Sequence, residues 1–222
     1  MLRDNLKGQK YFEEYISYET SRIKKFAEVL KEIDDTEKAS QCKIYIAGFY
    51  KNKLIAMYSA GYSIEDMKGI FNEYIEYISA IDSYSELVDL LSLAILFNYD
   101  KPLPDIIMNN GQYDDALVRL LKGYFKNKKT DISSEDLKYP EVYAKYLDIL
   151  SNESEDAAKQ LTQFLNDEWY SLNKDMAWYD SHKNDNNIYN GYWCWLGAAI
   201  CQIKQIPKEL LDNCKYLPID LI

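Results

Sequence analysis

The chain reads as an all-α protein, an irregular antiparallel multi-helix bundle, and three observations carry that reading. Apolar residues recur at alternating spacings of four and three along much of its length, which marks a single buried stripe on each helix. Serine start signals and a glycine stop signal fall where those stripes begin and end. No segment alternates apolar and polar residues between hairpin turns, as a half-buried strand does.

Each element follows in order. Phe12, Ile16, Glu19, Ile23, Phe26, Leu30 and Ile33 form the stripe of the first helix. A second helix is expected from about Glu37 to Ser59, closed by Gly61. Ile64, Met67, Phe71, Tyr74, Ile78 and Ile81 repeat the stripe, and Ser63 with Asp66 supplies the cap that opens it. Ser83 with Glu86 caps the next helix, where Leu87 to Phe97 is apolar nearly all round and therefore belongs at the centre of the bundle. Asp100 to Pro104 breaks that run. Shorter helices then read from Asp114 to Phe125, Pro140 to Leu150 and Ser154 to Leu172, and a last stripe is Tyr189, Trp193, Leu196, Ile200 and Ile203. Short connections imply antiparallel neighbours. No fixed-period self-similarity supports a solenoid.

A chain of 222 residues is long enough for a full core without staples, and with 8 Gly and 5 Pro no stretch reads as a linker. A single all-α domain over residues 1–222 is the expectation. The net charge of -10 argues against nucleic acid and anionic membranes, which carry the same sign, and favours a basic partner. Met1-Leu2-Arg3-Asp4-Asn5 lacks an apolar signal core, and the run Leu90 to Phe97 is far shorter than the roughly 18 residues of a membrane span. Cys42, Cys194, Cys201 and Cys214 show neither CxxC nor zinc spacing. Reduced cysteines in a cytoplasmic protein follow, with no cofactor and no metal implied.

The segment from Trp178 to Trp195 concentrates the chain's chemistry. It holds three of the 4 tryptophans and the single histidine. His182, beside Asp180 and Asp185, admits a general base or a metal ligand. Without a second His or a Cys at ligand spacing, the reading is a loop anchor that hydrogen-bonds a neighbour, and the chain does not read as an enzyme. Helical spacing places Tyr189 and Trp193 in the core and leaves Tyr192 and Trp195 half exposed on its flank. Asp180, His182, Lys183, Asn184, Asp185, Asn186 and Asn187, with Tyr192 and Trp195, are then the candidate contact residues. Elsewhere, Glu19 lies on the inward stripe, where an acid needs a partner; Arg22, Arg3 and Arg119 are the candidates. Acidic clusters at Glu13, Glu14, Glu28 and Glu32, and at Glu153, Glu155 and Asp156, read singly as solvated faces. Together they form a field that speeds capture of a basic partner, so the second cluster joins the candidate contacts. The basic island Lys122, Lys126, Lys128 and Lys129 is assigned no role.

Two ends of the chain also carry a resemblance. Arg3-Asp4, Tyr11-Phe12, Tyr18-Glu19 and Arg22 open it; Trp178-Tyr179, His182, Gly191-Tyr192-Trp193 and Tyr216-Leu217-Pro218-Ile219-Asp220-Leu221 close it. These residues resemble the signatures of the PoNi family, immunity proteins that neutralise bacterial polymorphic nuclease toxins. The likeness brackets the chain and leaves its middle, from about Thr36 to Leu172, unmatched. It departs at Leu196, where the family usually has Glu. What the resemblance implies is an N-terminal part (1–110) and a C-terminal part (111–222), and a stoichiometric binder of a cognate toxin domain, a basic nuclease delivered by a bacterial secretion system. Self-association through the aromatic surface is compatible with it. The rival readings are a helical scaffold or adaptor that binds peptides or partner proteins, and an enzyme built on His182.

Overall fold

The structure, a computed structural model, describes residues 1–129 and 136–222. Among these residues every regular element is helical. None of the helices is long and apolar enough to cross a membrane. The chain forms two compact units: unit one holds Met1–Ile81 and Asp180–Tyr192, and unit two holds Asp82–Tyr179 and Trp193–Ile222.

Unit one is built on α1 (Gln9–Lys31), α2 (Thr36–Ala60) and α3 (Ile64–Glu76). Phe12, Ile16, Glu19 and Ile23 bury the α1 stripe against α2. The two helices run antiparallel, since Phe26 meets Tyr45 and Phe49 whereas Glu19 meets Asn52. Backbone carbonyls at the α2 C-terminus lack helical partners, and the residues just past the helix and the opening residues of the chain supply them between them. Tyr62 N–H donates to Met57 O, the Arg3 guanidinium donates to Tyr58 O at 3.0 Å, and the Arg3 and Asp4 amides both donate to Ser59 O. The Arg3 guanidinium also lies 4.5 Å from the Tyr58 ring centroid. Gly61 closes α2 at φ 84, and a Cβ there would fall 1.8 Å from Met1 O, so both conformation and space require glycine.

Unit two centres on α4 (Tyr84–Leu96), buried nearly all round, which packs on α6 (Ala116–Asn127) and α10 (Trp195–Lys204). Its other helices are the short α5 (Asp105–Met108), α7 (Pro140–Ser151) and α8 (Ser154–Phe164). The run from Ser154 continues as a π-helical turn over Leu165–Trp169 and then as α9 (Tyr170–Leu172). Buried Asp115 caps α6 by accepting from the Val118 amide, and takes two more bonds, from the Tyr84 hydroxyl at 2.7 Å and the Lys138 amide. Three donors on one carboxylate satisfy a buried acid.

The caps at Ser63 and Ser83 accept from the Asp66 and Glu86 amides, as the spacing predicts. Helix ends differ more. α1 stops at Lys31 and α3 at Glu76, although Ile78 and Ile81 stay buried beyond it, and α5 had no periodic signal. The largest correction is the last stripe: α10 begins at Trp195, and residues 188–194 are not helical. Their backbone groups are engaged elsewhere. Tyr189 O accepts from the Tyr11 hydroxyl, Asn190 O from the Ser59 hydroxyl, and the Cys194 amide donates to Tyr216 O. Backbone groups held this way do not close helical i to i+4 bonds. Leu196, the departure from the family pattern, is buried, a position that suits an apolar side chain better than an unpaired acid.

Candidate functional site

The residues from Asp180 to Tyr192 form a loop built onto α1 and α2 of unit one. Asp180 takes a left-handed conformation (φ 56), which an Asp tolerates, and turns the chain into a single 3-10 turn over Ser181–Lys183. Tyr192, farther along the loop, holds that turn from inside. Its hydroxyl oxygen accepts from the His182 amide at 3.2 Å and lies 2.8 Å from His182 Nδ1 and 3.4 Å from the buried Ser181 hydroxyl. The His182 ring stands edge-on to both Tyr192 and Tyr189, and Tyr189 packs on Phe12 of α1.

Polar contacts fix the second arm of the loop. The Tyr189 hydroxyl donates to Asp4, whose other oxygen accepts from the Leu6 and Lys7 amides. The Asn190 side-chain amide donates to Asn52 at 3.2 Å, and the Asn52 amide donates to Glu19 at 3.3 Å. Glu19, 2% exposed, takes two contacts from Arg22 Nη1, at 3.1 and 3.2 Å. Burial raises the Glu19 carboxyl above the usual carboxylate range, and Arg22 then Asn52 oppose that rise. The expected internal ion pair is therefore with Arg22. Arg3 instead serves the α2 terminus and Arg119 pairs with Asp114 and Asp136. Since Glu19 and Arg22 share α1, it is Asn52 and Asn190 that tie the pair to α2 and to the loop.

What these anchors present is a polar tip. Lys183, Asn184, Asp185, Asn186, Asn187 and Ile188 are all exposed. The Asn186 amide donates to Asn184 Oδ1 at 2.8 Å, a local turn, and Lys183 pairs with Asp180 at 2.9 Å. Ile188 was not among the sequence candidates; an isolated apolar residue inside an Asn/Asp run was the only signal. Nδ1 of His182 is taken up by a tyrosine hydroxyl instead of an acid. Among the described residues no three His, Cys, Asp or Glu side chains gather as a metal would need.

Three of the aromatic assignments reverse. Tyr192 and Trp195, expected half exposed, are 5% and 3% exposed, while Trp193, expected in the core, is half-buried. The cause is the late start of α10, which removes helical spacing from residues 189–194. Tyr192 and Trp195 therefore brace the segment from within and do not offer a surface. In unit two, Trp178 stacks on Trp169 at 5.4 Å, Tyr179 lies 4.5 Å from Tyr170, and Tyr216 packs on both Trp169 and Tyr170. Glu153, Glu155 and Asp156 also lie in unit two, all exposed, at the start of α8. Acids there complement the helix dipole, which gives them a local structural role beside any field they add.

The family of PoNe immunity proteins (PoNi) matches the chain in two parts, its N-terminal domain over residues 3–108 and its C-terminal domain over residues 113–221. No curated protein and no solved structure matches. Arg3 and Asp4 at the α2 terminus, Glu19 with Arg22, and Tyr192 under His182 carry structural work in the fold just described. With nearly every residue inside one match or the other, the chain belongs to the PoNi family of immunity proteins.

Proposed function

We propose that the protein binds a PoNe-type nuclease toxin and neutralises it by stoichiometric association, with no chemistry of its own. The observation that carries this reading is the family match at both ends of the chain, over residues 3–108 and 113–221. Charge agrees with it. A nuclease needs basic groups to hold phosphates, and a protein of net charge -10 is attracted to such a domain. Residues 1–222 work as one immunity domain, because the chain leaves unit two at Tyr179, supplies Asp180–Tyr192 to unit one, and returns at Trp193. It acts in the cytoplasm, where a nuclease meets its substrate.

The contact we assign to the toxin is the tip Lys183–Ile188, with Asp180 and His182 behind it. A prefolded tip loses little conformational entropy on binding, and Tyr192, Tyr189 and Asn190 supply that order. Glu153, Glu155 and Asp156 add to the attracting field. The test is a nuclease assay with the cognate toxin domain and increasing amounts of protein. Activity falling linearly to zero at molar equivalence supports neutralisation by association. Full activity at a large excess refutes it.

A further inference from the structure

Unit one carries a second exposed surface that the loop does not explain. The Arg22 guanidinium lies 3.7 Å over the Phe49 ring and 5.4 Å from that of Tyr18. Phe26 meets Phe49 edge-on at 5.1 Å and Tyr45 at 6.0 Å. These contacts join α1 and α2 in one continuous patch whose floor is buried Phe49 and whose rim is open: Tyr18 is 62% and Tyr45 49% exposed. Gly48 sits on α2 one turn after Tyr45 and one turn before Asn52, so it shares their face. It is exposed, and a Cβ built there meets nothing within 4 Å. Glycine weakens a helix interior, and nothing among the described residues needs the missing side chain. Bare backbone at that point allows close approach from outside.

We infer that this patch is a docking surface for the cognate toxin, which lays an apolar element across Gly48 and sets a hydrogen-bond acceptor against Arg22. The inference rests on the immunity reading. Arg22 turns Nη1 to Glu19, and among the described residues Nε and Nη2 have no acceptor. A partner that brings one completes the guanidinium. Tyr and Arg are also the residue types that dominate binding hot spots. A net charge of -10 sets a second copy against the first and draws in a basic domain, which selects the toxin as occupant.

The test is binding of the toxin domain to the full chain and to Gly48→Arg and Tyr45→Ala, with melting temperatures and sedimentation of each. The expected result is a melting temperature at or above that of the wild type for Gly48→Arg, because its side chain enters open space and replaces a helix-interior glycine, with affinity for toxin at least tenfold lower; Tyr45→Ala lowers affinity in the same direction. Wild-type binding with both variants equally tight overturns the patch and leaves immunity standing. No binding by the wild type removes the immunity reading and this inference with it. A wild-type dimer that Gly48→Arg converts to monomer makes the face a self-interface and overturns the inference.

Discussion

The Tyr189 hydroxyl donates a buried hydrogen bond to the Asp4 carboxylate, joining residues 185 positions apart. The same carboxylate accepts from the Leu6 and Lys7 amides, so a single acid closes the first turn of the chain and anchors the loop that carries His182. Tyr189→Phe removes the long-range bond and keeps the ring. It should cost about 1–3 kcal/mol in urea unfolding, the usual penalty for a buried group losing its partner. Amide exchange across 183–188 should speed up in the same variant. Unchanged stability and exchange would show that ring packing alone holds the loop.

Glu19 gives a prediction with a sign. Its carboxyl is raised in the folded protein, so the folded state binds a proton more readily than the unfolded one. The stability linked to that proton is fully present below the ordinary Glu range and is lost as pH rises through the raised value. Glu19→Gln should therefore flatten the fall in stability across that window, measured by denaturant titration at several pH values. Glu19→Ala instead leaves Arg22 and Asn52 without their acceptor. Its cost should lie toward the low end of about 3–5 kcal/mol, because Arg22 reaches solvent. Equal pH slopes for wild type and Glu19→Gln would contradict the assignment.

Glycines 61 and 69 should respond in opposite directions to alanine. Gly61→Ala places a Cβ on Met1 O and forces a strained φ, so it should destabilise by more than about 1 kcal/mol. Gly69 is exposed within α3 with nothing within 4 Å of its Cβ position, so Gly69→Ala should stabilise by up to about 1 kcal/mol through helix propensity. Melting curves of the two variants decide it.

The thiols should differ in reactivity. Cys194 is buried against the Tyr146 hydroxyl at 3.1 Å, and burial pushes its thiol up to about 12. Cys214 is half-buried, and burial pushes its thiol up less far, to about 11. Native protein treated with an alkylating reagent near neutral pH should label Cys214 first and spare Cys42, Cys194 and Cys201, read by peptide mass spectrometry. Early labelling of Cys194 would mean that the start of α10 opens more readily than its packing implies.

Much of the fold was legible because it is local. The stripes of α1 and α3, the run of α4 that is apolar nearly all round, the caps at Ser63 and Ser83 and the stop at Gly61 follow from side-chain spacing and backbone amides within a few residues. Long-range bonds were not legible. Nothing near Tyr189 in sequence announces Asp4, and nothing near Asn190 announces Ser59 and Asn52. Those bonds hold the start of the segment 188–194 out of the helix that its spacing suggests, and with helical spacing gone Tyr192 turns inward. The polar tip was legible from its Asn/Asp run, whereas the Tyr18–Arg22–Tyr45 patch needed two helices side by side before it was visible.

Calorimetric titration of the cognate toxin domain into the full chain, at low and high salt, tests the central claim most directly. The account predicts one saturable transition at molar equivalence that weakens as salt screens the attraction between an acidic protein and a basic nuclease. Absence of any binding heat at either salt, with nuclease activity untouched in the same mixture, would contradict it.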